Sequence, residues 1–285
     1  MNGVKTVLLL GLMSGLFLAA GQALGGERGL VMGMGMAVVM NFFSYFFSEK
    51  IALMSSGAQA CSPSEHPSIY ARIAPMTKRL CERMGIPMPR LWVIPEGAPN
   101  AFATGRNPSH SSVAVTVGLL ELMDDDEVEA VIGHELGHIL NRDILISSIA
   151  ATMGAAITMV GRMAFFFGGS RSSDEEEGGG GGGMLGGLVM MIVAPLAAMV
   201  IQMAISRTRE YGADAAAAKY MGNPRPMMNA LRKLEGCSKR IPMAVSPATS
   251  HMYIIKPFNG QAMMRLFSTH PSTEQRIERL SVLAR

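Results

Sequence analysis

Four long apolar runs constrain this chain more than any other feature. A helix needs about 20 apolar residues to cross a bilayer core, with roughly 17 as a lower limit. Val7–Leu24 and Leu30–Phe47 meet this condition. So do a run that starts near Ile144 and fades at Gly161–Phe167, and a fourth run, Met184–Ile205. Composition agrees: 16% of the 285 residues are charged, 49% are hydrophobic, and the mean hydropathy is +0.26. A soluble domain carries nearer a quarter charged residues. The runs come in two pairs, which predicts two helical hairpins, four transmembrane helices in all. The first run alone resembles a signal peptide, with Lys5 ahead of it and small residues after it. A second run follows after only a few residues, so a hairpin is the simpler reading. Aromatic residues crowd the end of the second run as an interfacial belt does. Pro195 predicts a kink in the fourth. Arg162 lies near the outer end of the third and is expected to snorkel or to face another helix.

Lysine and arginine set the orientation. The turn 25–29 carries only Arg28, and the loop 168–183 carries Arg171 with four acids and six consecutive glycines. Lys5, Lys50, Arg72, Lys78, Arg79, Arg83, Arg142, Arg207, Arg209 and Lys219 flank the other ends of the runs. Both termini and both polar segments are therefore expected in the cytoplasm. Cys61, Cys81 and Cys237 are an odd number without CxxC spacing, which fits reduced thiols there. A net charge of +3, with no basic block, is too small to suggest nucleic acid, and none is expected as a partner. The 26 methionines fill apolar helices. The glycine tract lacks the preceding strand and the lysine of a phosphate-binding loop, and reads as a flexible connection.

The domain plan is then a hairpin over 1–49, a polar segment over 50–143, a second hairpin over 144–206 and a polar segment over 207–285. The polar segments are too small to be separate enzymes, so they are expected to form one domain split by the second hairpin. Ser68–Gly85 predicts an amphipathic helix, "RLWVIPE" and "SSVAVTVGLLEL" predict strands, and Asp124–Asp126 predict the start of a helix.

That last helix contains HELGH: His134, Glu135 and His138. Histidines four apart share a helix face and can reach one cation, with the glutamate beside it placed to take a proton from water. A catalytic zinc needs a third protein ligand. A metzincin would place a histidine where Ile144 stands, so that class is excluded. His66, His110, His251 and His270 are isolated. A carboxylate is the alternative, and Glu210 and Asp214 sit four apart in "SRTREYGADAAAAKYMG". A metal on Glu210 and a ligand imidazole N–H on Asp214 would satisfy both if they are buried.

HELGH with "ILNRD", "EYGAD" after a hairpin, "THPSTEQRIERL" near the end and "PNAFATG" ahead of the active-site helix together resemble the HtpX-type membrane metalloproteases. That group belongs to the zinc-protease superfamily of the CAAX prenyl endopeptidases. The resemblance covers nearly the whole chain. It implies an α+β membrane protein with a mainly helical, zincin-like cytoplasmic domain carrying a small β-sheet. It implies one Zn²⁺ held by His134, His138 and Glu210, with Glu135 as general base and Asp214 behind the ligands. Asn100, Ala101 and Phe102 would line a groove that takes substrate as an added strand. His270, Arg276 and Arg279 would lie near the site, His270 as a stabiliser of the oxyanion or as the fixed point of a turn before Pro271. The implied function is cleavage of misfolded or unassembled membrane proteins on the cytoplasmic side of a bacterial inner membrane, under stress. Processing of CAAX peptides and metal sensing or transport are the alternatives. The glycine loop is unusual for such a protein.

Overall fold

A computed structural model of the chain describes residues 2–149, 207–238 and 271–283. Most of the expected second hairpin, with Arg162, Pro195 and the glycine loop, lies outside the described residues, as does His270. The described part is mostly helical with one four-stranded sheet.

The chain opens with α1 (Asn2–Ser55), which is two helices joined at Gly26, where φ is 57°. By length and composition both legs, Val4–Gln22 and Gly25–Ser55, could cross a membrane. Glycines let them approach: a Cβ on Gly21 would lie 2.2 Å from the carbonyl oxygen of Gly29, and one on Gly33 would lie 2.4 Å from that of Phe17. Asn41 donates to Ser14 across the pair at 2.8 Å, and Ser14 donates to the Leu10 carbonyl, a polar link between the two legs that leaves the buried Asn41 Oδ1 without a hydrogen-bond partner among the described residues. The second leg continues past Phe47, where the apolar run ends, to Ser55. It does so because Ala52 and Leu53 bury against Ile94, Phe102 and Ala114 of the sheet. Glu49 fastens the same junction by accepting from Arg90 at 2.5 Å and from Ser112 at 2.6 Å.

The sheet has the order β1 (Gln59–Ala60), β2 (Arg90–Ile94), β4 (His110–Thr116), β3 (Ala101–Asn107). β2 and β4 are parallel, while β3 runs antiparallel to β4 and forms an edge. Side-chain alternation gives the sheet two covered faces. Leu91, Val113 and Val115 face the main core, whereas Ile94, Phe102 and Ala114 face the end of α1. The main core also takes in α2 (Pro67–Met84), close to the expected helix, and the central helix α4 (Asp125–Leu140).

One expected strand is only half a strand. In "SSVAVTVGLLEL" the extended backbone ends at Thr116, and α3 (Val117–Leu122) follows. Thr116 makes the break. Its hydroxyl accepts from the Leu119 and Asn100 N–H groups, which caps α3 and ties it to the start of β3. The continuous apolar run conceals this switch, because helices and buried strands share such runs.

α4 begins with a capping box: the Asp124 side chain accepts from the Glu127 N–H, and the Glu127 side chain accepts from the Asp124 N–H. Lys233, on α6 (Arg225–Ser238), pairs with the buried Glu127 at 2.5 Å and so pins this end. Glycines again decide the packing further along α4. A Cβ on Gly137 would lie 3.0 Å from the Cα of Ala213 and 3.1 Å from the Cβ of Ala216, and one on Gly133 would lie 3.4 Å from Ala217. Those alanines belong to α5 (Arg207–Met221), so α4 and α5 meet almost backbone to backbone. The last described element is α7 (Thr273–Val282), capped by Ser272.

Beyond α4 the chain turns before residues 144–149 resume a helix. Arg142 has φ 57°, its N–H bonds to the Ile139 carbonyl, and the Asp143 N–H bonds to that of His138. This is a Schellman closure with arginine where glycine is usual. Ile144 joins the main core, whereas Ile146 and Ile149 pack against Leu9 and Met13 of the first hairpin leg. The helix carrying HELGH is therefore nearly continuous with the third apolar run, with one turn between them.

Replacing a mid-helix glycine ordinarily adds stability. At Gly137 the expected sign is reversed. Gly137→Val should destabilise the protein by about 1–3 kcal/mol, the usual cost of overpacking, and should shift α5 away from α4. Thermal unfolding of the detergent-solubilised protein checks this, with Gly236→Ala, whose added methyl meets open space, as the control.

Candidate metal centre

Two turns of α4 present His134, Glu135 and His138 to two turns of α5 that present Glu210 and Asp214. The near contact of Gly137 with Ala213 brings these side chains within reach of one another. His134 Nε2 lies 3.7 Å from Glu210 Oε2, and His138 Nε2 lies 3.7 Å from Glu210 Oε1. One donor atom from each of the three residues falls within 4.8 Å of the other two, so together they could hold a metal ion.

The other nitrogen of each ring faces a carboxylate. His134 Nδ1 is 2.9 Å from Asp214 Oδ1, and His138 Nδ1 is 3.4 Å from Asp143 Oδ2. Donation from Nδ1 to a carboxylate fixes the tautomer whose Nε2 has a free lone pair. Both lone pairs then face Glu210. Asp143 owes its position to the Schellman turn, which folds the chain back so that its carboxylate reaches a ring five residues earlier.

Arg276, from α7, closes the cluster from behind. Its Nε and Nη2 bond to Asp214 at 2.8 and 2.7 Å, a two-pronged pair, and its Nη1 stands 3.6 Å from Glu210 Oε2. Arg276 is only 2% exposed, which an unpaired guanidinium would not tolerate. Burial pushes the Asp214 pKa up, but the charge and hydrogen bonds of Arg276, followed by those of His134, outweigh it and hold the carboxyl below its ordinary value. Burial lowers the His138 pKa, and the Asp143 hydrogen bond with the charges of Glu210 and Glu135 raises it more.

Glu135 is buried beside the two rings, and the nearby Ala103 N–H on the edge strand β3 favours its ionised form. Burial raises its pKa, the two histidines act the other way, Glu210 adds to the rise, and the net shift is upward. A carboxylate so raised is a better proton acceptor near neutral pH.

Charge balance tests whether a cation suits these residues. Glu135, Asp143, Glu210 and Asp214 are buried here with two cationic partners, Arg209 and Arg276. With neutral imidazoles and ionised carboxylates, these groups, counted among the described residues, carry two negative charges in excess. Burial makes such an excess costly. A divalent cation among three donors, two of them with oriented lone pairs, removes it. The donor set of two histidines and one glutamate is also that of many catalytic zinc sites.

The structure thus gathers His134, Glu135, His138, Glu210, Asp214 and Arg276 at one place. It does not bring Arg279 there: that guanidinium stacks over the Tyr211 ring, 3.8 Å from its centroid. Asn100, Ala101 and Phe102 lie at the start of β3 with buried side chains, next to the residue whose N–H favours the ionised form of Glu135. Sequence reasoning passed over three participants. Asp143 carried a signal, a carboxylate just past the helix end, but a non-glycine left-handed turn gives none. Ala103 acts through its backbone. Arg209 is buried with its Nη1 lacking a hydrogen-bond partner among the described residues, beside the charges of Asp143 and Glu210.

Comparison with known proteins follows the same residues. The model of "Peptidase family M48" matches residues 67–284. A "Protease HtpX homolog" of Sulfurihydrogenibium sp. (strain YO3AOP1) is 48% identical over 290 residues, covering 100% of this chain and 97% of the relative. Another, of Pelotomaculum thermopropionicum, is 46% identical and covers 100% of both chains. Among solved structures, S. mikatae Ste24p matches with a TM-score of 0.52 at 19% identity, over 98% of this chain. The match spans 65% of Ste24p, a likeness of fold. With HELGH and its distant glutamate in one cluster, and relatives this similar over full length, the chain belongs to peptidase family M48, among its HtpX-type metallopeptidases.

Proposed function

We propose that this metallopeptidase is a zinc endopeptidase of the bacterial inner membrane, cutting misfolded or unassembled membrane proteins on the cytoplasmic side as part of quality control under stress. The observation that carries the reading is the placement of Glu135 beside a His134–His138–Glu210 donor set, on a helix that leads within one turn into an apolar segment. The positive residues gathered on one side of the apolar runs support a cytoplasmic site.

A zinc ion held by those donors would supply Lewis acidity toward water and the scissile carbonyl. Glu135, with its raised proton affinity, takes the proton of the attacking water at a carboxylate oxygen and returns it to the departing amine nitrogen. Asp214 and Asp143 hold the Nδ1 protons, so neither ring turns over, and Arg276 keeps Asp214 ionised for that purpose. Among the described residues β3 is an edge strand, and its outward main-chain groups suit an extended peptide, a mode with loose demands on sequence, which fits substrates defined by disorder.

Glu135→Gln should retain bound zinc and fold but lose about 10²–10⁴-fold in peptide cleavage; undiminished cleavage by the pure variant would remove the mechanism. Glu210→Ala should lose the metal, read as zinc per chain by elemental analysis against one in the parent; an unchanged ratio would mean that Glu210 is not a ligand. Arg276→Lys should lower activity by about 10–100-fold, the usual cost of disturbing a ligand's carboxylate partner. It should also move the acid limb of the pH profile upward. Arg276 depresses the Asp214 pKa, so a weaker partner lets that carboxyl protonate at a higher pH. An unmoved limb would show that Arg276 serves packing alone.

A further inference from the structure

The edge strand β3 joins the candidate site to the membrane level, and three contacts along it set the distance. At its near end, Ala103 packs against the core that holds α4, the helix of Glu135, and turns its N–H away from β4. One residue on, Thr104 Oγ1 lies 2.9 Å from Ser148 Oγ, both buried. Ser148 sits between Ile146 and Ile149, which pack against Leu9 and Met13 within the first apolar hairpin. Two residues further, Arg106 lies over the Phe46 ring, its Cζ 5.6 Å from the centroid. Phe46 belongs to a group of exposed aromatic residues, Phe42, Phe43, Tyr45, Phe46 and Phe47, which precede the first charges of that leg, Glu49 and Lys50. Aromatic rings next to charges mark the level of lipid headgroups. An arginine on such a ring fits the same level, its stem in apolar surroundings and its head in the polar zone.

The path from the catalytic carboxylate to the headgroup level is thus three strand residues, on the order of 10 Å. The contact with the start of the third run gives the same short height independently of the aromatic belt.

The phase of the strand adds a second fact. The Thr116 N–H bonds to the Asn100 carbonyl at 2.9 Å. In an antiparallel ladder, inward and outward backbone groups alternate. Ala101 and Ala103 therefore turn their backbone groups away from β4, beside the helix that carries Glu135. The outward groups lie at the site end of β3. Toward the membrane the ladder shifts register between Gly105 and Asn107 and closes in the hairpin that carries Arg106. A peptide laid on this edge pairs beside the catalytic residue and has only a few residues of extended chain before the lipid.

We propose, resting on the endopeptidase reading above, that β3 acts as a ruler: the enzyme cuts a membrane protein beside the point where its span leaves the bilayer, and the preferred substrates are extended segments that directly adjoin a membrane span. Selection then comes from position relative to lipid. A segment held in a folded domain or a helix up to the bilayer surface cannot reach the edge strand, whereas a span with an unfolded junction can.

The test uses the full chain, loaded with zinc, in vesicles of phosphatidylethanolamine and phosphatidylglycerol. The substrate is a single membrane span joined to a long unstructured tail, placed after the span in one version and before it in another, with cut sites read by mass spectrometry. Cuts should gather within about five residues of the span and keep that distance when the adjoining sequence is scrambled. The same tail freed from its span should be cut at scattered positions. Cuts spread along the tethered tail, or cuts that follow a particular sequence wherever it is moved, would overturn the ruler while leaving an endopeptidase. No zinc-dependent cleavage of either tethered or free tail, with wild type no better than Glu135→Gln, would overturn the ruler together with the endopeptidase reading.

Discussion

The approach of α4 to α5 governs the rest of this molecule. Two glycines on one helix and three small residues on the other let the backbones come close enough for short side chains to share a site. Glu210 and Asp214 are long enough to reach two imidazoles only because Gly133 and Gly137 give up their volume. Larger residues at that seam would strengthen each helix alone and separate the donors. The helix propensity given up at those positions is the cost of a functional site, which proteins commonly meet with stability from elsewhere. Here the capping box of α4, the Lys233–Glu127 pair and a well-filled core on the sheet side supply it.

Around that seam the charges form a chain of mutual support. Arg276 holds Asp214, Asp214 holds His134, and Asp143 does the same for His138. Each carboxylate is buried and would be costly alone. They and their partners come from three regions of sequence, so the site belongs to the assembled domain and to no single segment. A single-partner substitution in such a network leaves a buried charge uncompensated and acts well beyond the residue replaced.

Much of this was legible in the sequence where chemistry and periodicity coincide. HELGH on a capped helix, the amphipathic α2 and a carboxylate pair four residues apart among alanines each state their geometry locally. What escaped was of a different kind. β3 reads "AFATGRN", with small and polar residues and no alternation, because its inward positions are filled by neighbouring elements. The end of β4 became α3 because one threonine hydroxyl served two backbone groups, an event a continuous apolar run hides. Asp143 required a left-handed arginine. Arg276 and Arg279 are equally plausible from spacing, and only the packing of α7 sends one to Asp214 and the other to the Tyr211 ring.

The Nδ1 partners of the two histidines come from opposite sides of the second apolar pair. Asp143 follows His138 at once, whereas Asp214, Glu210 and Arg276 are made only after some seventy to one hundred and forty further residues. As the chain leaves the ribosome, its HELGH helix exists for that interval with one oriented ring, no third donor and no counter-charge. The site can therefore close only once both sides of that stretch have been made, and a chain that ends before Glu210 holds two of the three donors and no assembled centre.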